Sequence, residues 1–481
     1  MKFSTLLLSL FLCLESWPLM AQNRMLTQKE YDAKMAWWRE AKFGLFMHWG
    51  PYTLYGGVYN GYKQRRADPA WIMNRCKIPF LEYRAKATTF NPVGFDADKI
   101  VRAAKEAGMK YVVFTTKHHD GFAMFKSNAS RFNIVDYTDF KRDVVDEIVR
   151  ACRKYDMKIG FYYSQSQDWC NPGGAVARKE MWEGWDNPDS TFINAYTKAH
   201  AGHWDYFQTT STFDEYFHRV ALPQVKELLE RYPDVSLLWF DTPMGITDKQ
   251  ASEMQDLLSQ YPNLIVNDRL KRPNFLGDYK TPEGKIPSRD EVVGVDWESC
   301  MNLSNTWSYR SWDRRWKDSK EIIRNMITIA ARGGNYLLNI WPDASGVVYP
   351  EAYKCLAEVG AWMNEYGEMI YGSQRSDVSP NWGECIRKDI NGKSILYLCV
   401  FDMPTDGKLV LNGQYRVSRV LSVTNEKLKF RVGQKELFID VSSLAVTEPA
   451  TIIKVELKNQ LPAIKLVRNS QKMFDIDDVE N

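Results

Sequence analysis

The sequence predicts an α/β protein: a (β/α)8-like barrel over residues 22–372, followed by a C-terminal all-β sandwich over 373–470. Three observations carry this. Short apolar runs alternate with amphipathic segments of helical spacing for most of the chain. Each of the clearest runs ends in polar groups and then in turn residues. From about Ser373 the pattern changes to short strands separated by turns such as Asn391-Gly392 and Asn412-Gly413.

The elements follow in order. Residues 27–42 mix polar and apolar side chains at helix spacing. Phe43 to Met47 is an apolar run closed by His48-Trp49-Gly50-Pro51, and 52–91 is loop-rich. Residues 96–107 form an amphipathic helix with Ile100, Ala103 and Ala104 on one face and Gly108 as its stop signal. Tyr111 to Thr116 is a strand ending in Lys117-His118-His119-Asp120-Gly121. The helix over 139–155 places Val144, Val145, Ile148, Val149 and Cys152 together, and Lys158 to Ser164 is the next strand. Residues 171–212 lack clean periodicity and read as an insertion.

A helix over 213–232 leads into Val235 to Phe240, six residues almost wholly apolar. Asp241 follows, then Thr242-Pro243. Such a run fits a strand buried on both faces. A carboxylate at its end needs a reason, because an unpaired buried charge is costly. Helix 248–260 precedes Leu264-Ile265-Val266 and Asn267-Asp268-Arg269. Val295 to Cys300 is a candidate strand. Helix 317–332, the turn Gly333-Gly334, the strand Tyr336 to Ile340 and helix 350–367 complete the series. An open doubly wound sheet is the alternative, but no glycine-rich phosphate fingerprint follows the early strands.

The chain has 481 residues and a formal net charge of +3, which gives no electrostatic case for nucleic acid. Its 17 Trp and 25 Tyr suit stacking on sugars as well as filling a core. Lys2, the apolar Leu6–Leu14 and Leu19-Met20-Ala21 predict a signal peptide over 1–21, hence export to the periplasm or beyond. No run reaches the length of a membrane span. Beyond the signal, seven widely spaced cysteines with no CxxC pair indicate neither a zinc knuckle nor a dense disulfide framework, and one or two bridges stay open. Residues 471–481 form an acidic tail.

Barrel enzymes place their chemistry at the C-terminal strand ends. His48, His118, His119, Tyr163, Asp241, Arg269 and Glu298 are expected there. The histidines suit either a metal or the hydroxyls of a sugar. Glycoside hydrolysis needs two carboxyl groups across the scissile bond. Asp241 is one. Glu283, in the loop-like Gly277-Asp278-Tyr279-Lys280-Thr281-Pro282-Glu283, and Glu298, beside Trp297, are candidates for the other. The apolar Trp297 gives Glu298 the stronger physical case for a raised pKa.

Seven motifs occur in order: Lys42-Phe43-Gly44-Leu45-Phe46-Met47-His48-Trp49-Gly50, Thr116-Lys117-His118-His119-Asp120-Gly121-Phe122, Tyr162-Tyr163-Ser164, Leu238-Trp239-Phe240-Asp241, Asn267-Asp268-Arg269, Trp297-Glu298-Ser299-Cys300 and Gly333-Gly334-Asn335-Tyr336-Leu337-Leu338-Asn339-Ile340. Together they resemble glycoside hydrolase family 29, the α-L-fucosidases, over roughly residues 30–375, and the β module resembles that family's C-terminal domain. The resemblance implies retaining hydrolysis without a metal or other cofactor, acting on fucosylated oligosaccharides or glycoconjugates. It implies Asp241 as nucleophile, with His48, His118, His119, Tyr163 and Arg269 as fucose contacts and Trp71 as a wall of the sugar pocket. Trp297 is grouped with these substrate-binding residues. Relatives differ in whether a loop glutamate like Glu283 or a Trp-Glu glutamate like Glu298 is the acid/base. Departures from the family pattern are Ala70-Trp71 where some relatives carry Glu-Trp, Ile340-Trp341-Pro342, and Ser308 within Thr306-Trp307-Ser308-Tyr309. Two rival classes are a metal-dependent barrel hydrolase built on the three histidines and a non-catalytic carbohydrate-binding protein.

Overall fold

A computed structural model describes residues 26–65, 67–175, 203, 205–273, 275 and 277–466. The expected signal peptide, the acidic tail and residues 176–202 of the insertion lie outside the described residues. Seven parallel strands form one curled sheet: β1 (Phe43–Met47), β2 (Tyr111–Lys117), β3 (Lys158–Tyr163), β4 (Leu237–Phe240), β5 (Ile265–Val266), β6 (Glu298–Asn302) and β7 (Asn335–Ile340). Their spatial order is β5-β4-β3-β2-β1-β7-β6.

The gap between β5 and β6 is bridged by an irregular segment. Tyr279 pairs with Asn267, Lys280 with Trp297 and Glu283 with Cys300, all in parallel sense. Glu298 N–H donates to the Lys280 carbonyl at 2.8 Å, and Gly284 N–H to that of Cys300 at 3.0 Å. Residues 279–283 thus stand where an eighth strand would close the barrel. Thr281-Pro282 breaks any apolar alternation there, which is why the sequence reads as a loop.

The helices follow the sequence signals. Thr27 and Glu30 form a reciprocal cap on α1 (Gln28–Ala41). Asp96 caps α2 (Ala97–Glu106), and Asp143 caps α3 (Val144–Lys154), each through its carboxylate. Then come α4 (Leu222–Arg231), α5 (Asp248–Leu258), α6 (Ser319–Ala331) and α7 (Pro350–Ile370). The expected helix over 139–155 starts only at Val144, since Lys141 has a φ of 56° and Asp143 takes the cap.

The barrel has an inner and an outer apolar layer, set by strand alternation. Phe46, Tyr111, Val113, Tyr162, Leu237, Trp239, Ile265, Cys300 and Leu337 fill the lumen, with Tyr31, Met35 and Trp38 of α1 packed among them. Their neighbours in sequence, such as Leu45, Val112 and Tyr163, face the outer helices.

The C-terminal module has a four-stranded antiparallel sheet of β8 (Gly383–Ile390), β9 (Lys393–Val400), β11 (Val417–Ser422) and β14 (Thr451–Leu457). Three strands, β10 (Lys408–Asn412), β12 (Phe430–Val432) and β13 (Glu436–Asp440), form the second sheet. Strand β8 had no clear counterpart among the strands expected from sequence. One face of the larger sheet joins the main core through Ile386, Tyr397, Cys399 and Ile452. Arg289 and Arg332 both grip Glu384 across this junction. All seven cysteines of the described residues are buried and free. No helix among the described residues is long and apolar enough to cross a membrane.

Candidate active site

The C-terminal ends of β1 to β5 bring His48, His118, His119, Asp241 and Arg269 together, as expected for a barrel mouth. Arg269 is the centre. Its Nη1 donates to Asp241 Oδ1 and to Glu283 Oε2, both at 2.8 Å. Thr281 holds the rest of the fork: Nε donates to its hydroxyl at 2.8 Å and Nη2 to its carbonyl at 2.9 Å. The guanidinium carbon lies 4.5 Å above the Trp239 ring. Such a fork, planar and stacked, is what arginine does and lysine does not.

Asp241 is surrounded by donors. Tyr162 O–H donates to Oδ2 at 2.8 Å, and Thr242 N–H to Oδ1 at 2.8 Å. His119 Nε2 lies 3.5 Å from Oδ2. Burial alone pushes this carboxyl up. Arg269, His119 and Tyr162 outweigh it and hold Asp241 below the usual carboxylate range. Glu283 goes the other way. Burial raises it, Arg269 opposes, and the charge of Asp241 adds to the rise. One carboxyl is held down and its neighbour is pushed up. A pair pushed apart in this way is the signature of divided acid and nucleophile roles. Two oxygens bound to one nitrogen can be no further apart than two such bonds end to end. This short bridge between the carboxyls lies nearer the about 5 Å spacing of retaining glycosidases than the about 6.5–9.5 Å of inverting ones.

The imidazoles line the floor. His48 Nδ1 meets Asn339 Oδ1 at 2.8 Å. Asn339 Nδ2 already donates to Asn302 Oδ1 and the Trp307 carbonyl, so its oxygen accepts from His48 and leaves His48 Nε2 as an acceptor. Burial pushes His48 down to about 4 and His118 well below its usual range, so both are neutral at pH 7. His118 stacks on Tyr162 with centroids 5.4 Å apart, and its buried Nδ1 has no hydrogen-bond partner among the described residues. The ring centroids of His119 and Trp71 are 4.9 Å apart. Asp68 accepts from Ala70 N–H, Trp307 N–H and the Ser308 hydroxyl, tying the loop that bears Trp71 to the loop that bears Trp307. Among the described residues no group of three or more His, Cys, Asp or Glu side chains is arranged to hold a metal ion.

The α-L-fucosidase family model matches residues 19–368. The chain belongs to the α-L-fucosidase family. It is 29% identical over 390 residues to the tissue α-L-fucosidase of Rattus norvegicus, covering 77% of each chain. Among solved structures it resembles the α-L-fucosidase of Vibrio sp. strain EJY3, with a TM-score of 0.78, 28% identity, and 89% and 73% of the two chains covered. It also resembles an α-L-fucosidase of Bacteroides thetaiotaomicron trapped as a covalent intermediate, with a TM-score of 0.73, 26% identity, and 88% and 96% covered.

On this α-L-fucosidase barrel three expected site residues fall elsewhere. Glu298 was expected at a C-terminal strand end. It is instead the first residue of β6, paired with Asn335, the first residue of β7. It sits fully buried at the floor of the lumen, accepting from Tyr111 O–H at 2.6 Å and Trp239 Nε1 at 3.2 Å. Its raised pKa, pushed by burial to about 7, is a property of the core and not of the mouth. Trp297 is also fully buried, donating to the Arg332 carbonyl at 3.3 Å. Tyr163 points out of the barrel and donates to Gln224 Oε1 at 2.8 Å.

Tyr162, Trp239, Trp307, Gln165 and Thr242 also stand at the site and are not among the residues expected there from sequence. Two of these had a signal. Side chains alternate along a strand, so Trp239 shares the inner face with Asp241, and Tyr162, not Tyr163, is the inner tyrosine of β3. Gln165 had none. Its Oε1 accepts from Asp241 N–H at 3.1 Å, and its Nε2 donates to the Arg269 carbonyl at 2.8 Å, so one buried amide locks the ends of β4 and β5 together.

Proposed function

We propose that the protein is an exo-acting, retaining α-L-fucosidase that removes terminal α-L-fucosyl residues from glycans or glycoconjugates by double displacement. The observation that carries this is the bridge from one Arg269 nitrogen to Asp241 and Glu283, with the affinities of the two carboxyls for a proton pushed in opposite directions. Asp241 attacks the anomeric carbon. The bond from that carbon to the aglycone oxygen breaks, and Glu283 gives that oxygen its proton. In the second step Glu283, now a carboxylate, takes a proton from water as the water attacks the same carbon and the ester to Asp241 breaks. Oδ1 holds Arg269 and Thr242 N–H at 2.8 Å each, while Oδ2 takes Tyr162 O–H at 2.8 Å with His119 Nε2 at 3.5 Å, so Oδ2 is the less engaged oxygen and the one assigned to attack.

Neutral imidazoles and Arg269 suit the hydroxyls of fucose, and Trp71 and Trp307 suit its apolar face and methyl group. The buried floor of histidines supports a pocket that takes one terminal sugar. The trapped covalent intermediate of the Bacteroides thetaiotaomicron neighbour supports the two-step route. Residues 1–21 support export, which fractionation of cells making the full chain tests.

The deciding experiment follows an aryl α-L-fucoside by proton NMR. The first fucose released should be the α anomer. Release of the β anomer would mean inversion and overturn the mechanism.

A further inference from the structure

Five rings stand in an unbroken row in the pocket: Trp307, His48, His118, His119 and Trp71. Their successive centroids lie 5.1, 5.6, 4.2 and 4.9 Å apart. The three imidazoles directly follow β1 and β2, so the sheet fixes them. The two tryptophans at the ends of the row sit on loops, and both are only half-buried. Stacking on a sugar needs such a ring at a set place, and a loop does not supply that by itself.

Asp68 ties the two ends of that row together. Its carbonyl accepts from Trp71 N–H at 2.9 Å. Of its carboxylate, Oδ1 accepts from Ala70 N–H at 2.9 Å and the Ser308 hydroxyl at 2.8 Å, and Oδ2 from Trp307 N–H at 2.5 Å and Ser308 N–H at 3.3 Å. One residue thus holds the backbone N–H of both tryptophans, reaching across 239 positions of sequence to the second. A carboxylate taken out of water is costly unless donors satisfy it, and hydrogen bonds to a charged acceptor are the strong ones. The Asp68 loop is held in turn. Gln64 Nε2 donates to the Asp68 carbonyl at 3.0 Å, and Arg310 Nη2 to the Ala67 carbonyl at 2.7 Å.

We propose that Asp68 is a positioning residue that clasps Trp71 and Trp307 at a fixed spacing and so closes the pocket around one terminal fucose. The proposal rests on the pocket being that of a fucosidase. The bonds of the clasp run to Ala70, Trp71, Trp307 and Ser308, while Asp241 and Arg269 are held by Tyr162, Thr242 and Thr281. The clasp therefore acts on the binding of the sugar and not on the chemical step. An interaction made alike in the ground and transition states shows in KM, with kcat kept.

The test is the kinetics of Asp68→Asn, Ser308→Ala, Trp307→Ala and the double variant D68N/W307A on an aryl α-L-fucoside. Rates are taken at a pH below the alkaline limb, since the charge of Asp68 also pushes Glu283 up. In D68N an amide NH2 faces donors, so half of the clasp is lost. Its KM should rise about tenfold, the scale of one aromatic contact, with kcat kept within about threefold. The inhibition constant of free L-fucose, which reads binding alone, should rise in step. S308A keeps the carboxylate and loses one hydrogen bond, so its KM should rise about threefold. In D68N/W307A the rise in KM should fall short of the product of the two single effects, because both act on one wall. A D68N protein with the wild-type KM overturns the proposal, as does one that loses kcat at unchanged KM or a double variant that shows the full product. Should D68N not fold, S308A decides, and a wild-type KM there overturns the proposal. A wild-type protein that releases no fucose sinks the fucosidase reading and the clasp with it. Wild-type turnover beside an unchanged D68N sinks only the clasp.

Discussion

Arg269 and Glu283 meet through the same nitrogen that binds Asp241, at 2.8 Å on each side. The bridge gives one cation two carboxyls, and burial and the charge of Asp241 push the second, Glu283, towards its protonated form. Without that proton two like charges would share one guanidinium nitrogen in a buried site.

Activity requires ionised Asp241 and protonated Glu283, so kcat/KM should be bell-shaped in pH. Asp241 is held low, which places the acidic limb below an ordinary aspartate. Glu283 is pushed up, which places the alkaline limb above an ordinary glutamate. Both limbs belong to the pair. Glu283→Gln should remove the alkaline limb and lower kcat/KM by about 10²–10⁴ on a poor leaving group, and by less on an activated aryl fucoside. Azide should restore E283Q turnover and yield α-fucosyl azide. Glu298→Gln should give no such rescue.

Tyr162→Phe removes the hydroxyl that donates to Asp241 Oδ2. Its kcat should fall by about tenfold, the scale of one charge-assisted hydrogen bond, and its acidic limb should rise. Tyr163→Phe removes a bond to Gln224 on the outer face. It should cost about 1 kcal/mol of stability in denaturant unfolding and leave the pH profile in place. Reversed results would mean that β3 carries the opposite alternation.

The barrel was legible because its strands are short, doubly buried and followed by polar residues. That pattern located Asp241, Arg269 and the three histidines directly. Single-residue register was not legible. The run 295–300 looks like a strand that ends at Glu298, whereas pairing with β7 carries the strand on to Asn302 and puts Glu298 at its start. The same limit exchanged Tyr163 for Tyr162. Glu283 was hidden for another reason. Its segment pairs through isolated bridges around Pro282 and carries no apolar alternation, so only the closed barrel shows that it is not a free loop.

Exhaustive chelation should leave turnover of an aryl α-L-fucoside unchanged. The positive charge that faces Asp241 is supplied by Arg269. The Nδ1 atoms of His48 and His119 are engaged by Asn339 and Ser164. Loss of activity on chelation, restored by a divalent cation, would favour the metal-dependent reading of the three histidines.

Glu298 makes a stability prediction separate from catalysis. Burial raises it from 4.5 to about 7. Between those two values the folded protein binds a proton that the unfolded chain has released. Stability therefore falls as pH rises from about 4.5 to about 7 and levels off above. Glu298→Gln stays neutral and should flatten that part of the stability–pH curve, measured by denaturant unfolding. Glu298→Ala strands the Tyr111 hydroxyl and the Trp239 indole N–H in the lumen. It should cost several kcal/mol, as unmade buried hydrogen bonds and a cavity do. Trp239 also supports Arg269, so E298A should lose activity through a displaced guanidinium, while E298Q should not show the altered alkaline limb of E283Q.

Arg269→Lys keeps the charge and removes the fork. A lysine ammonium cannot hold the Thr281 hydroxyl, the Thr281 carbonyl and both carboxyls at once. Asp241 then rises, because burial is opposed by less. Glu283 rises as well, because Arg269 is the main influence lowering it. Both limbs of the kcat/KM profile should move to higher pH, and the maximum should fall by about a hundredfold. Arg269→Met removes the charge altogether and should move the acidic limb further still. If R269K kept the wild-type limbs and maximum, the shared nitrogen would be incidental, and the opposed shifts of Asp241 and Glu283 would need another source.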